Sequence, residues 1–416
     1  MLVVPAVMLF VCLGSASLLA KEKIMTLSWG DVIWQHRGQG IAQIDTPEKI
    51  RESIKTWKAK GVDKVHFRVD DFRILLFHQF YLPPTSSEYN KEAARTTKEA
   101  WERNLVHIAV EALKKEGIAV DMYITILDEG LPPEMLWGGG GFFPWQSNFT
   151  RDNPHFLSVD RSLPGSPHRY HYGVLEYAYP EVREYMLKMV TTFSDRFDFD
   201  GVFLSLRTHS PPPEHADEFG FNEPVVKEYE RRYGRNILLQ SFDLEKWRDL
   251  RGEYLTAFLR DVKAHVNRKG QKLAIGIPQG EYLGPPFGNM KLHWRQWVSG
   301  KIVDELVVGH ITQERSRYPN LAQRAYGYIQ NQEENLNLPP IEQAVVDSYG
   351  PLCRKNGVKL YVDPERFYYG FDHPAVGAAK QPPGVRERLT QKLEALPDLT
   401  GLTYDYSNIL GLKRTD

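Results

Sequence analysis

Carboxylate, imidazole and guanidinium side chains recur in this sequence directly after short apolar runs. Seven runs end in this way, at residues 65–71, 122–129, 202–210, 274–281, 305–310, 360–365 and 402–407, and an eighth candidate precedes them at 24–31. Two carboxyl groups that flank a glycosidic bond can cleave it, one as acid and the other as nucleophile or base. The run ends supply carboxylates for such a pair: Asp70, Asp71, Asp128, Glu129, Glu281, Asp363, Glu365 and Asp405.

Four of these carboxylates form the predicted catalytic pool. Asp363, Glu365 and Asp405 lie closest to their apolar runs, and Glu281 follows another run. A single loop carboxylate is more often a helix cap or an ion-pair partner. Carboxylates gathered at one rim of a barrel repel one another, and acid–base catalysis is the common reason for such a cluster. The sequence does not say which of the four is the acid.

Basic and aromatic residues at the same run ends are predicted to bind substrate. Arg68 and Arg207 can pair with an anionic sugar or hold a catalytic carboxylate in place. His209, His310 and Asp128 can bond to sugar hydroxyls, although each is equally typical of a structural role. Aromatic rings can stack on sugars, and the predicted stacking residues are Trp29, Trp137, Trp145 and Tyr404.

The elements that position these residues alternate regularly. Apolar run, polar tip and helix repeat about eight times, which is typical of an α/β fold, the (β/α)8 TIM barrel, whose sites lie at the C-terminal ends of its strands. Residues 128–179 show no periodicity and are predicted to form a long functional loop at that C-terminal face. The predicted helices include 47–60, capped by Thr46, and 96–116, 181–197, 223–233, 244–268 and 385–396.

Composition limits the classes of function. With 52 basic and 53 acidic residues and no basic cluster, the chain is not typical of a nucleic-acid or membrane-surface protein. Residues 1–20 are apolar and are predicted to be a signal peptide or N-terminal anchor, so the protein would be secreted or periplasmic. Residues 21–416 then form one barrel domain, with no stable membrane insertion and with Cys353 as its single cysteine. The oligomeric state stays open.

A metal-dependent site is the weaker hypothesis. Glu281, His310 and Asp363 together offer ligands for a divalent ion, as in a sugar isomerase or lyase. Their spacing carries no specific motif, and the first run ends in Trp29 without a His-x-His pair. Neither a metal nor another cofactor is therefore predicted.

Two segments carry a resemblance to a known family. Residues 179–185 (YPEVREY), followed by 199–204 (FDGVFL), resemble the family 10-like glycosyl hydrolases, in which a Pro-Glu-Val-Arg helix start leads into an Asp-Gly fourth strand. Residues 46–48 and 223–234 look similar too. The resemblance implies a bacterial glycoside hydrolase barrel. The family's fourth strand often ends in a carboxylate, where this chain has Ser205 and Arg207.

These observations together predict a glycosidase that acts on a poly- or oligosaccharide, including anionic ones. The missing carboxylate has three explanations: the acid lies on another strand, the substrate carries an anion that Arg207 binds, or catalysis has been lost. A glycan-binding barrel without turnover and a metal-dependent sugar isomerase or lyase are the alternatives.

Overall fold

A closed ring of eight parallel strands forms the centre of the molecule. The computed structural model describes residues 20–28, 44–70, 72–73, 78–80, 95, 97–130, 145–206, 217–283, 290–310, 338–364 and 384–410. The strands of the ring are β1 (Glu22–Ser28), β2 (Lys64–Arg68), β3 (Ala119–Thr125), β4 (Gly201–Ser205), β5 (Lys272–Ile277), β6 (Glu305–Val308), β7 (Lys359–Val362) and β8 (Gly401–Asp405). Each strand pairs with the next along the chain, and β1 closes the ring against β8. The predicted (β/α)8 barrel is therefore confirmed.

Helices connect the strands. They are α1 (Pro47–Ala59), α2 (Leu105–Lys115), α3 (Asn148–Asp152), α4 (Pro180–Arg196), α5 (Glu223–Tyr233), α6 (Leu244–Arg268), α7 (Trp294–Ser299), α8 (Ile341–Ala344), α9 (Gly350–Asn356), α10 (Val385–Glu394) and α11 (Tyr406–Leu410). A 3-10 turn at Pro154–Phe156 and a π-helical turn at Val345–Tyr349 complete the helical structure described. None of the described helices has the length and apolar character needed to cross a membrane.

Side chains alternate between the two faces of every barrel strand, as the geometry of a strand requires. Residues such as Phe67, Met122 and Leu204 point outward into the large core shared with the helices. A smaller interior cluster lies inside the ring and takes its members from six strands: Ile24, Tyr123, Phe203, Ala274, Val307 and Tyr361. This alternation identifies the inward positions at the strand ends, where the chemistry-bearing residues lie.

Most predicted helices form within one or two residues of their predicted bounds. The Thr46 hydroxyl accepts a hydrogen bond from the Lys49 amide at 3.3 Å, and Pro47 occupies the first turn of α1. The predicted helix over 96–116 is interrupted at Asn104, whose backbone φ of 58° is left-handed, before α2 begins.

The prediction that residues 128–179 lack regular structure is wrong for part of this stretch. Three short strands form there: Trp145–Ser147, which pairs antiparallel with His78–Phe80, and Leu157–Val159, which pairs antiparallel with Tyr170–Leu175. The second pair contains a register shift between Leu157 and Ser158, and Gly173 has a positive φ of 78°. Such irregularity breaks the alternation of polar and apolar residues, which explains why the sequence shows no strand pattern.

Candidate active site at the barrel mouth

Three side chains from three strands meet inside the C-terminal end of the barrel, called here the mouth. The imidazole Nε2 of His310 lies 3.1 Å from Ser205 Oγ and 3.3 Å from Tyr123 Oη. The Tyr123 hydroxyl also donates to Ser205 Oγ at 3.2 Å. All three residues are buried. The hydrogen bonds are at the long end of their usual range, so a hydroxyl-bearing ligand could replace them at modest cost.

A missing side chain on β5 gives His310 its place. His310 follows β6, and its ring passes over Gly276, where a β-carbon would lie 2.5 Å from the imidazole Cδ2. The neighbouring Gly309 adopts a positive φ of 84°, which turns the chain at the strand end. Two glycines therefore allow an imidazole from β6 to reach across β5 to the end of β4.

Two of the predicted catalytic carboxylates occupy inward positions at the mouth. The Asp363 amide donates to the Val308 carbonyl at 2.9 Å, so the β6–β7 ladder continues one residue beyond the strand. Asp363 is two positions after inward-facing Tyr361, and it is 6% exposed. Asp405 ends β8 on the face opposite to outward-facing Leu402 and is half-buried. Both carboxylates thus come from neighbouring strands, as predicted.

Arg68, a predicted substrate ligand, is held by a charge network at the mouth. Its Nε donates to Asp70 Oδ2 at 2.6 Å, and its guanidinium lies 5.8 Å from the Tyr123 ring centroid. Asp70 Oδ1 lies 3.2 Å from Nε of the fully buried Arg73. Arg73 in turn reaches the Glu129 carboxylate and, at 2.5 Å, the backbone carbonyl of Asp128. The charge of Arg68 is therefore largely balanced within the protein.

Glu129 and Asp128 lie beneath the mouth surface in this network. Burial raises the pKa of Glu129, while Arg73 and the Tyr185 hydroxyl oppose the rise. The Tyr185 hydroxyl donates to Glu129 Oε2 at 3.0 Å, which ties α4 to the end of β3. Asp128 is 1% exposed. The network fixes the backbone where β2 and β3 leave the barrel.

A second polar cluster fills the opposite, N-terminal end of the barrel, called here the base. Lys64 Nζ lies 2.7 Å from both Glu305 carboxylate oxygens and 3.0 Å from Asp121 Oδ2. Burial alone would lower the pKa of Lys64, but the charges of Asp121 and Glu305 raise it. Burial raises the pKa of Asp121 to about 7, helped by the charge of Glu305 and opposed by that of Lys64. The ring of His66 stacks on Phe203 at 4.0 Å, and burial lowers its pKa well below the usual value.

A metal site is the weaker hypothesis from the sequence, and the arrangement of the described residues does not strengthen it. The trio close enough to share an ion is His66, Asp121 and Glu305 at the base, and the predicted trio Glu281, His310 and Asp363 does not form such a group among the described residues. Lys64 already contacts both carboxylates of the base trio. A buried ammonium in that position disfavours a divalent cation by charge repulsion.

The structure places two predicted site residues away from the mouth. Glu281 pairs with Arg295 of α7, is 44% exposed, and lines a surface cleft beside α6. Tyr404 lies on the outward face of β8 and packs against the outer core. Trp145 belongs to one of the short strands. Other predicted residues lie outside the described part of the chain: Trp29, Trp137, Arg207, His209 and Glu365.

Sequence reasoning missed Tyr123 and gave Ser205 only a negative role, as the residue that replaces an acid. The signal for Tyr123 was its inward position, two residues before Thr125 at the end of β3. An isolated tyrosine inside a strand is usually buried for packing, so the sequence alone does not mark Tyr123 as a site residue.

The fold and the polar residues at the mouth together indicate the class of protein. Polar inward side chains at the C-terminal ends of eight parallel strands are the arrangement of (β/α)8 barrel enzymes. The family model described as "Glycosyl hydrolase-like 10" matches residues 147–337, a segment that includes Ser205, Gly276 and His310. The resemblance found in the sequence is thereby confirmed, and it relates the chain to glycoside hydrolase-like proteins.

Solved structures of glycosidases are similar to the chain at low identity. The glycoside hydrolase domain of PgaB (BpsB) from Bordetella bronchiseptica is 11% identical over 94% of this chain and 95% of that one, with a TM-score of 0.46. A β-galactosidase from the psychrophilic Marinomonas ef1 is 12% identical over 82% of this chain, with a TM-score of 0.44. The chain spans about half (48%) of that β-galactosidase. No curated protein matches the chain.

Proposed function

We propose that this protein hydrolyses a glycosidic bond of a poly- or oligosaccharide bound at the barrel mouth. The observation that carries the proposal is the layer of inward polar groups at the strand ends, which includes Arg68, Ser205, His310, Asp363 and Asp405. The family match supports the same class of activity. Such a layer suits a ligand that is rich in hydroxyl groups.

Asp363 and Asp405 are the proposed catalytic carboxylates of this site. They belong to adjacent strands and both take inward positions, so one sugar ring can contact both. Asp363 is the more buried of the two. Glu365 stays a prediction, and Glu281 is a weaker candidate because Arg295 neutralises it.

Buried hydroxyls at the mouth support a neutral sugar as the ligand. Thr125 and Thr403 take inward positions, and among the described residues their hydroxyl oxygens have no hydrogen-bond partner. A buried hydroxyl without a partner is costly, so a ligand hydroxyl or a water is expected there. Arg68 is already paired with Asp70, which lessens its value for binding an anionic sugar. We therefore propose neutral glycans ahead of uronic or sulfated ones.

A glycan-binding barrel without turnover is the second candidate. It is favoured by Ser205, which ends β4 where the related family often has a carboxylate. It predicts saturable binding of a sugar and no release of reducing ends.

The deciding experiment measures reducing ends released from neutral, uronic and sulfated glycans. Wild type is compared with Asp363→Asn, Asp405→Asn, Glu365→Gln and Glu281→Gln. The matched control is Asp198→Asn, which changes a carboxylate that is 83% exposed and pairs with Lys114. Loss of turnover in two of the four variants, with unfolding unchanged, supports the hydrolase. Glycan binding without release by wild type would replace it with the binding barrel.

We also propose that residues 1–20 direct export and that residues 21–416 act as one barrel domain. Cell fractionation of the full chain and of a chain lacking residues 1–20 tests the export signal. Equal distribution of the two chains between fractions would contradict it.

A further inference from the structure

We propose that His310 is the proton donor that replaces the missing fourth-strand carboxylate. This inference rests on the proposed hydrolase function and adds a catalytic residue to it. The sequence comparison left the end of β4 without an acid, since Ser205 stands there. The structure brings a titratable group to that place from β6, with Nε2 3.1 Å from Ser205 Oγ.

The hydroxyl groups around His310 hold its Nε2 atom in place and keep the ring at the mouth. In the neutral ring, the Ser205 hydroxyl can donate to Nε2 while it accepts from the Tyr123 hydroxyl. In the protonated ring, Nε2–H donates to Ser205 Oγ instead. The same three atoms therefore accommodate both protonation states without a change of rotamer, which is what a proton carrier requires.

Packing around the ring limits its movement further. The Phe203 ring meets the imidazole edge-on at 4.7 Å, and Tyr123 meets it at 5.4 Å. Gly276 leaves no space to spare beneath the ring. A ring held on several sides keeps its donor direction when substrate binds.

Besides Tyr123, the charged and titratable groups around His310 come from two strands, β2 and β7. His66 on β2 lies close enough for the two imidazoles to repel each other's charge. Arg68, also on β2, lies over the Tyr123 ring, and its charge is balanced by Asp70. Asp363 follows β7, and its amide donates to the carbonyl of Val308, two residues before His310. The strands that carry Asp363 and His310 are therefore neighbours, and the carboxylate is available as the base in the same site.

The proposed step balances as a simple hydrolysis. The glycosidic oxygen replaces a hydroxyl as the partner of Nε2–H and takes its proton as the bond to the anomeric carbon breaks. The bonding electron pair stays on the leaving oxygen, which becomes a hydroxyl. Water supplies the new oxygen at the anomeric carbon and gives its proton to the Asp363 or Asp405 carboxylate, and the two residues then return to their starting states through solvent.

The test compares wild type, His310→Gln, Asp363→Asn and Asp405→Asn on two kinds of substrate. One is the glycan cleaved best in the reducing-end panel, measured as a pH profile of kcat. The other is a pair of aryl glycosides of the same sugar, phenyl and 2,4-dinitrophenyl, because the dinitrophenolate leaves without protonation. The control is His107→Gln, which changes an exposed histidine on α2.

An acid role predicts that His310→Gln loses about 100-fold or more in kcat on the glycan and the phenyl glycoside. It predicts little loss on the dinitrophenyl glycoside and removal of the fall in rate at high pH. Ser205→Ala and Tyr123→Phe should shift that fall without removing it. Equal loss on both aryl glycosides, or an unchanged pH profile on the glycan, would overturn the role of His310 while leaving the hydrolase intact. No cleavage of any substrate by wild type would overturn both proposals.

Discussion

Both ends of the barrel interior hold buried polar side chains, but the interactions of these side chains differ between the two ends. At the base, Lys64, Asp121 and Glu305 form a closed set of ion pairs at 2.7–3.0 Å. At the mouth, Tyr123, Ser205 and His310 form hydrogen bonds of 3.1–3.3 Å between groups that can each donate and accept. The charged groups of the base pair with one another, whereas the groups of the mouth can exchange protein partners for a ligand.

The comparison separates two reasons for placing polar groups inside a barrel. Buried ion pairs repay only part of the cost of removing charge from water, and they become expensive when one partner is lost. Hydroxyl and imidazole groups cost less to bury and keep their ability to bond a substrate. Mutations at the base should therefore affect stability, and mutations at the mouth should affect activity.

The largest expected effect comes from removing a mouth carboxylate. Asp363→Asn should lower kcat by about 100- to 10,000-fold, because a positioned acid or base contributes that much to a proton-transfer step. Reducing-end release measures the loss, and urea unfolding tests whether stability is kept. A large fall in the free energy of unfolding would show that Asp363 stabilises the fold, as the base residues do. It would contradict the expectation that mutations at the mouth affect activity and mutations at the base affect stability.

The next effect is a loss of stability at the base. Lys64→Met should lower the free energy of unfolding by about 3–5 kcal/mol, because it leaves Asp121 and Glu305 buried and uncompensated. Chemical denaturation measures the change. The double variant Lys64→Met with Glu305→Gln should recover part of the loss. Wild-type stability in the single variant would show that the cluster is solvated.

The pH dependence of stability sharpens the contrast further. The pKa of Asp121 is about 7 in the folded protein and ordinary in the unfolded chain, so the folded state binds its proton more tightly. Its contribution to stability is complete below the unfolded pKa and is lost as pH rises toward and through 7. The loss amounts to roughly 1.4 kcal/mol for each unit of difference in pKa.

Asp121→Asn should remove this part of the pH dependence. Denaturant unfolding of both proteins at several pH values between 4 and 8 measures the difference between their curves. Parallel curves would show that Asp121 titrates normally in the folded barrel.

The smallest expected effect is the loss of stability when either of two glycines, Gly276 or Gly201, is replaced by alanine. A β-carbon at Gly276 would crowd His310, and one at Gly201 would lie 2.5 Å from Asp121 Oδ1 and 2.9 Å from the Lys272 carbonyl oxygen. Each Gly→Ala change should cost about 1–3 kcal/mol of stability by overpacking. Only Gly276→Ala should also lower kcat, by displacing His310. Equal effects of both on kcat would contradict a functional difference between the two ends.

The barrel could be predicted because the sequence signals of its strands and helices are local. Each strand is a short apolar run, and each helix has a cap or a period, as at Thr46 and over α6. The Asp-Gly pair before the fourth strand also has a local physical reason. The Asp200 carboxylate accepts from the Val120 amide at 2.9 Å, and Gly201 leaves space for Asp121.

The site was only partly predictable because its contacts join distant parts of the chain. Asp363 and Asp405 were identified because adjacent strands carry them to one rim. Glu281 follows β5 as the pattern required, but the sequence gives no sign that Arg295 draws it to the outer surface. Tyr123 and Ser205 become candidate site residues only because His310, which follows β6, contacts them. No rule of sequence spacing relates these three positions.

The closure of the ring between β1 and β8 has a consequence for how the protein is made. Glu22 is paired with Gly401, and the Lys21 ammonium donates to the Leu396 and Leu399 carbonyls. Until β8 has been synthesised, β1 to β7 can form at most an open sheet with unpaired edges, which other chains can join. Pairing across so long a stretch of sequence is also slow. A growing chain of this protein therefore passes through an aggregation-prone stage that ends only when its last barrel strand arrives.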